Sequence, residues 1–281
     1  MTLAPDVGAL SRITADHVLA ALALARRGRV YDLGLEINER MPQGARGVFV
    51  PFARAFSATP EGTGPDEPFS FAAEVIIGTQ HTSTHIDAFV HIQSEGRIYG
   101  GDRAVDARND QGWLKYGMET VPPIVGRAVL LDVARLKGVD ALPDRYEISV
   151  DDLRDTCRAA SVEIEVGDVV LVRTGKIREF ATDPAAFEES QPGVGPAAAI
   201  WLYEHGMAVL GTDTTGTEPL PFPDAARTTH RAMLVERGVH LLENVYLDEL
   251  ARDGVAEAAF VCLPLKLTGA TGSWVRPIAI A

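Results

Sequence analysis

A chain of 281 residues with 46% hydrophobic side chains can bury a core of its own, as one large domain or two small ones. Its 39 acidic against 26 basic residues give a formal charge of -13, which repels nucleic acid and anionic membrane surfaces. The two cysteines, Cys157 and Cys262, stand far apart without CxxC spacing, which excludes a disulfide framework or a zinc knuckle and leaves buried thiols in a reducing cytoplasm.

Near the start, acidic residues precede a short Ala/Leu run and basic ones follow it, the reverse of a secretory signal, and no run approaches the length of a membrane span. The apolar spacing predicts an amphipathic helix over 15–27, capped by Thr14, and a first strand over 30–37. From 38 to 68 periodicity is lost. So long an irregular stretch is expected as a binding loop, a lid or an arm exchanged between subunits, and its apolar residues Met41, Phe49, Val50, Phe52 and Phe56 favour burial against a neighbouring copy. Phe69, Phe71, Ala73, Val75 and Ile77 then alternate as one face of a strand, which runs into QHTSTHIDAFVH at 80–91.

Downstream, 128–136 and 168–175 are strand-like and flank a helix over 149–160 that opens on a Ser149-x-x-Asp152 capping pattern. A helix over 195–206 has Pro196 in its first turn and Gly206 as its stop, and 207–214 follows as a strand. Residues 230–238 are expected as a helix, and 239–245, 255–267 and 274–280 as strands. The alternation predicts a mixed α/β fold. With no internal repeat or clear linker, residues 1–281 are expected as a single domain, with 1–29 as a helical extension and 38–68 as the arm.

The segment 80–91 holds three of the seven histidines and an aspartate, the ligand types that divalent transition metals prefer. In a continuous strand His85 and His91 would stand about 20 Å apart and could not share an ion. The strand must therefore break. If it ends near Asp87 and a helical turn follows, Asp87 and His91 share one face and His85 leans towards the same point. Any one such histidine is more often a hydrogen-bonded core or surface group, but the three residues together favour a metal site.

His81-Thr-Ser-Thr-His85-Ile-Asp87-Ala-Phe89-Val-His91 resembles HxGTHxDxPxH, the signature of the cyclase family of metal-dependent hydrolases, to which bacterial kynurenine formamidases and isatin hydrolases belong. Ser83 replaces the glycine, and Phe89 replaces the proline. Further along, Glu95-Gly96-Arg97-Ile98-Tyr99-Gly100-Gly101, Gly211-Thr212-Asp213, His230 with Leu241-Leu242-Glu243-Asn244, and the stretch from Gly269 to Ala279 resemble later family segments in the same order. The resemblance implies a mixed, barrel-like sheet flanked by helices, of the swivelling β/β/α type. It also implies one or two ions of zinc or manganese held by His85, Asp87, His91, His230 and Glu243, and a homodimer or homotetramer.

A metal-activated water suits hydrolysis of an amide, cyclic amide or lactone in a small carbonyl substrate, and no GxSxG elbow or cysteine motif offers a covalent route. His91 is expected to act in catalysis as well as in binding. Glu95 stands where the formamidase branch has a catalytic histidine, so it is either the proton shuttle or an exposed turn residue before Gly96. His81 and Asp213 are expected to orient ligands. Phe89, Tyr99 and Trp113, with Phe52 and Phe56, are expected in an aromatic pocket wall or in the core. A lyase or cyclising enzyme on the same scaffold, or a metal-stabilised binding protein, are the competing readings.

Overall fold

In the run Val169–Arg173 successive side chains enter different clusters: Val169 and Leu171 pack on one face of a sheet, Val170 and Val172 on the other. A strand buried on both faces reads as a continuous apolar run, and the central strands of this protein are of that kind. The computed structural model describes residues 6–44, 50–58 and 72–281. In chain order its main strands are β1 (Val30–Asp32), β2 (Ala53–Ala58), β3 (Ala72–Ile77), β4 (His85–Asp87), β5 (Ile124–Asp132) and β6 (Val169–Arg173). They continue with β7 (Val209–Thr212), β8 (His240–Glu243), β9 (Glu257–Cys262), β10 (Gly272–Trp274) and β11 (Ile278–Ile280).

Nine of these form one sheet in the order β1-β11-β9-β5-β6-β7-β8-β4-β10, parallel from β5 to β8 and antiparallel elsewhere. Its shape follows from chain connectivity. Trp274 in β10 and Ile278 in β11 are four residues apart, a reach of at most about 14 Å. In a flat sheet their strands, seven positions apart in that order, would lie about 34 Å from each other. The sheet therefore curls until its two ends nearly meet, which is the barrel-like core the sequence implied. Leu33 N donates to Pro277 O and Val275 N donates to Thr84 O, bonds that extend the β1–β11 and β10–β4 ladders, and Leu35 N donates to Thr84 Oγ1 across the seam between the two ends.

Helices α1 (Ala15–Leu22) and α2 (Val150–Ala160) lie against this sheet, and α3 (Pro196–Glu204) shares a core cluster with its central strands. Thr14 and Ser149 cap α1 and α2 through reciprocal capping boxes, with His17 and Asp152 as the returning side chains. No helix among the described residues is long and apolar enough to cross a membrane.

Several boundaries differ from expectation for local reasons. Helix α1 stops at Leu22, not at residue 27, because the chain is drawn away to the sheet, where Arg27 and Arg29 amides donate to Ala281 O. The stretch 274–280 is two strands rather than one, since 275–277 carry the chain across the seam. At 230–238 the expected helix is a single π-type turn, Arg231–Val235. Within 38–68, β2 is regular and pairs with β3 in a separate hairpin. Phe49, Phe69 and Phe71 lie outside the described residues.

Candidate metal centre

Strand β4 is three residues long and sits between β8 and β10, with His85 opposite Glu243 and Asp87 opposite Gly272. Alternation along the strands fixes which side chains meet. Ile86 and Leu242 point together into one core cluster, so His85, Asp87 and Glu243 share the opposite face. The chain then breaks at Ala88 and makes a short 3-10 turn, Phe89–His91, which brings His91 back over the strand end. Ser83, at the position where the family signature has glycine, is held at φ 52°. That left-handed conformation is one glycine adopts without cost, and it explains the signature residue.

Asp87 is fully buried at the centre. Its Oδ1 lies 2.8 Å from His81 Nδ1 and 3.6 Å from His85 Nε2, and its Oδ2 lies 3.5 Å from His230 Nε2. Glu243 bridges the same two rings, 3.3 Å from His85 Nε2 and 3.4 Å from His230 Nε2. Two atoms bound at about 2.1 Å to a tetrahedral ion stand about 3.4 Å apart, so the spacings among His85, Asp87 and Glu243 are those of ligands around one cation, with His230 facing the other oxygen of each carboxylate. Buried His85 Nε2 and Asp87 Oδ2 have no hydrogen-bond partner, which is what atoms awaiting a cation look like.

Each ring is oriented from behind. His85 Nδ1 donates to Ser83 O at 2.9 Å, and His230 Nδ1 donates to Glu218 Oε2 at 2.8 Å, so both present Nε2 to the centre. Thr217 Oγ1 donates to Glu243 Oε1. His81 holds Asp87 through Nδ1 and reaches Thr271 Oγ1 through Nε2 at 2.8 Å, and it stacks on His91 with centroids 3.7 Å apart. A Cβ at Gly272 would come within 2.7 Å of that imidazole, so only glycine leaves room for it. His81, Asp87 and His91 form a second group with ligand atoms within 4.8 Å of one another.

Burial pushes His91 down to about 3, with the neighbouring imidazoles adding to the effect against the pull of Asp87, so its ring is neutral. Burial disfavours the charged form of His230 too, but Glu218 and Glu243 outweigh it and raise its pKa well above the ordinary value. For Asp87, whose burial acts the other way, His91, His81 and His230 hold the carboxyl well below the usual range. Three buried carboxylates among four imidazoles are a charge arrangement that a divalent cation completes.

Not every residue singled out from sequence comes here. Glu95 and Gly96 are the central pair of a tight hairpin closed by reciprocal Ser94 and Arg97 backbone bonds, with Glu95 at φ 53°. The Glu95 side chain is 81% exposed and faces Arg231, so the structure does not bring it to the cluster. Asp213 is buried elsewhere, accepting from Thr174 N, Thr174 Oγ1 and Gly175 N, and braces the ends of β6 and β7 instead of orienting a ligand. Phe89 stacks on His240 inside the core, Tyr99 packs on Phe89, and Trp113 is buried beside Gly269. Phe52 packs on Trp274, and Phe56 is exposed on the hairpin. None of these five rings lines the cavity described next.

That cavity, of about 810 Å³, has His81, His91, His230 and Glu243 at its inner end, with Ile92, Leu220 and Phe222 on its walls. Glu218, Thr217 and Thr271 were not singled out from sequence. A signal existed for the first two: 214–219 follows the C-terminal end of a parallel strand, where ligand sites of α/β sheets gather.

The model of the Cyclase family matches residues 31–219. Kynurenine formamidase of Bacillus cereus is 31% identical over 201 residues, covering 70% of this chain and 75% of the relative. The kynurenine formamidase of Geobacillus thermodenitrificans is 28% identical over 225 residues, 75% of this chain and 87% of the relative. Among solved structures, one described as a novel cyclase superposes with a TM-score of 0.89 at 28% identity, covering 98% of this chain and 94% of that one. Isatin hydrolase A from Ralstonia solanacearum does so at 0.68 and 25% identity, covering 95% and 97%.

Proposed function

The chain belongs to the Cyclase family, and on that premise we propose that it is a metal-dependent hydrolase of an amide, cyclic amide or lactone bond in a small carbonyl compound. The observation that carries this reading is the buried set His85, Asp87, His230 and Glu243, in which His85 Nε2 and Asp87 Oδ2 have no hydrogen-bond partner and His230 and Glu243 line a cavity.

His85, Asp87 and Glu243, with His230 against the same two carboxylates, would hold an ion of zinc or manganese, and a second ion would take His91 and His81 as ligands only by displacing the hydrogen bond of His81 to Asp87. When bound, the ion polarises the substrate carbonyl and lowers the pKa of a water towards neutrality. His91 lines the cavity beside the cluster and Glu95 does not reach it, so with a single ion bound we read His91, not Glu95, as the group that takes up the proton. His81 steadies Asp87 and the His91 ring, and Glu218 keeps His230 in the tautomer that presents Nε2. The walls at Ile92, Leu220 and Phe222 seat the apolar part of the substrate and displace water from it.

We also read residues 1–281 as one catalytic domain with 1–29 accessory to it, in the cytoplasm and as a homodimer or homotetramer. Two buried free thiols support the compartment. The hairpin of β2 and β3 supports the assembly, since Phe56, Val75, Ile76 and Ile77 are each more than half exposed on it. The test of the function is elemental analysis beside a screen of formamides, cyclic amides and lactones on one preparation. His91→Gln should keep the ion held at His85, Asp87 and Glu243 and lose turnover by about 100-fold or more. Metal-free active protein would end this reading.

A further inference from the structure

We propose that the substrate bears no anionic group on the side remote from its reacting carbonyl, and that Glu188 and Glu189 select a neutral or cationic group there. This rests on the hydrolase reading and adds the charge class of the substrate. Both glutamates line the cavity on the helical segment Pro184–Glu189, and Glu188 is fixed in place because Gly44 N donates to its Oε1 at 2.6 Å.

The other polar groups of the cavity offer an anion little. Among the described residues no lysine or arginine lines it. Gln191 spends its amide inside the protein, Nε2 donating to Phe187 O at 2.6 Å and Oε1 accepting from Thr215 N at 2.8 Å. The Thr215 hydroxyl donates to Asn244 Oδ1 at 2.9 Å. Glu218, which also lines the cavity, is 2% exposed and its Oε1 has no hydrogen-bond partner, so it waits for a donor and not for another acceptor. A carboxylate entering here would meet carboxylates across low-dielectric walls formed by Ile92, Leu220 and Phe222, whereas an ammonium or an N–H would be held.

The experiment compares kcat/KM of the metal-loaded enzyme on three formanilides that differ only at the para position: methyl, aminomethyl and carboxylate. We expect the carboxylate to be disfavoured against methyl by about tenfold or more at low salt, with the gap shrinking in high salt. Glu189→Lys, at an exposed position, should narrow the gap, and Glu188→Lys should narrow it further. A carboxylate compound hydrolysed as well as the methyl one overturns the proposal. If none of the three is hydrolysed, the hydrolase reading loses support, and binding of phenyltrimethylammonium against benzenesulfonate to the zinc-loaded protein still decides the charge preference. Tighter cation binding, weakened by Glu189→Lys, upholds it, and equal or tighter sulfonate binding overturns it.

Discussion

Replacing Glu218 with glutamine should weaken metal binding by about 10–100-fold while the protein stays folded. Glu218 Oε2 accepts from both Nδ1 and the backbone N of His230, at 2.8 and 3.2 Å. Two donors fix how a glutamine must sit. Its carbonyl has to occupy the Oε2 position, which puts the NH₂ where Oε1 now lies buried without a partner. Two charge-assisted bonds become neutral ones, a loss of about 1 kcal/mol each, and the unsatisfied amide costs about 1–3 kcal/mol more in fold stability. The first part, about 2 kcal/mol, bears on how well His230 Nε2 serves as a ligand and corresponds to roughly 30-fold in affinity. The assay is calorimetric titration of metal-stripped protein with zinc, for wild type, Glu218→Gln, His230→Ala and the double variant. The two single losses should not add, because Glu218 acts through His230. Unchanged affinity in Glu218→Gln, or full additivity in the double variant, would refute the reasoning.

Asp87→Ala or His85→Ala should remove most of the bound metal by elemental analysis, and full occupancy in both would dismiss the site. Glu95→Gln should leave turnover within about twofold of wild type, because a single exposed ion pair contributes little; a drop of 100-fold would return it to the active site. Burial pushes Asp213 up to about 6 against the pull of Thr174 and Gly175, so the folded state holds that proton more tightly than the unfolded chain does. Its stabilising contribution is complete below the ordinary carboxyl pKa and is lost as pH rises to about 6. Wild type should therefore lose about 3 kcal/mol relative to Asp213→Asn across that window, by urea denaturation at several pH values, and a gap constant with pH would contradict it. Phe56→Asp should shift the protein towards monomer in light scattering; an unchanged mass in that variant, or a monomeric wild type, would count against the hairpin as an interface.

The sequence made the strands legible where burial repeats every residue or every second one, as at Val169–Arg173 and His240–Glu243. It also placed the end of β4, because a continuous strand would hold His85 and His91 about 20 Å apart, although the two come to separate groups that share only Asp87. Glu218 was hidden for the opposite reason. A carboxylate in a loop carries no periodicity, and its value lies in Nδ1 of a histidine that folding brings to it. Glu95 misled because its place in a signature says nothing about direction, and its left-handed backbone in a two-residue hairpin points the side chain at Arg231. The buried rings of Phe89 and Trp113 show that an aromatic near a site motif is as readily packing as pocket.

The seam between Trp274 and Ile278 sets a timetable for the molecule. During synthesis, His85 and Asp87 leave the ribosome before β10, the strand that pairs with them, has been made. At roughly 5–20 residues per second the wait is on the order of ten to forty seconds. Over that interval β4 has an unpaired edge, and its acidic and imidazole groups sit in a chain that cannot yet hold them at ligand spacing. The same short passage then supplies β10 to one edge of the sheet and β11 between β9 and the opposite edge strand β1, so both are joined by a single late event. Pairings of such long range are slow to form, and metal capture should be a closing step of biogenesis rather than a nucleus for it.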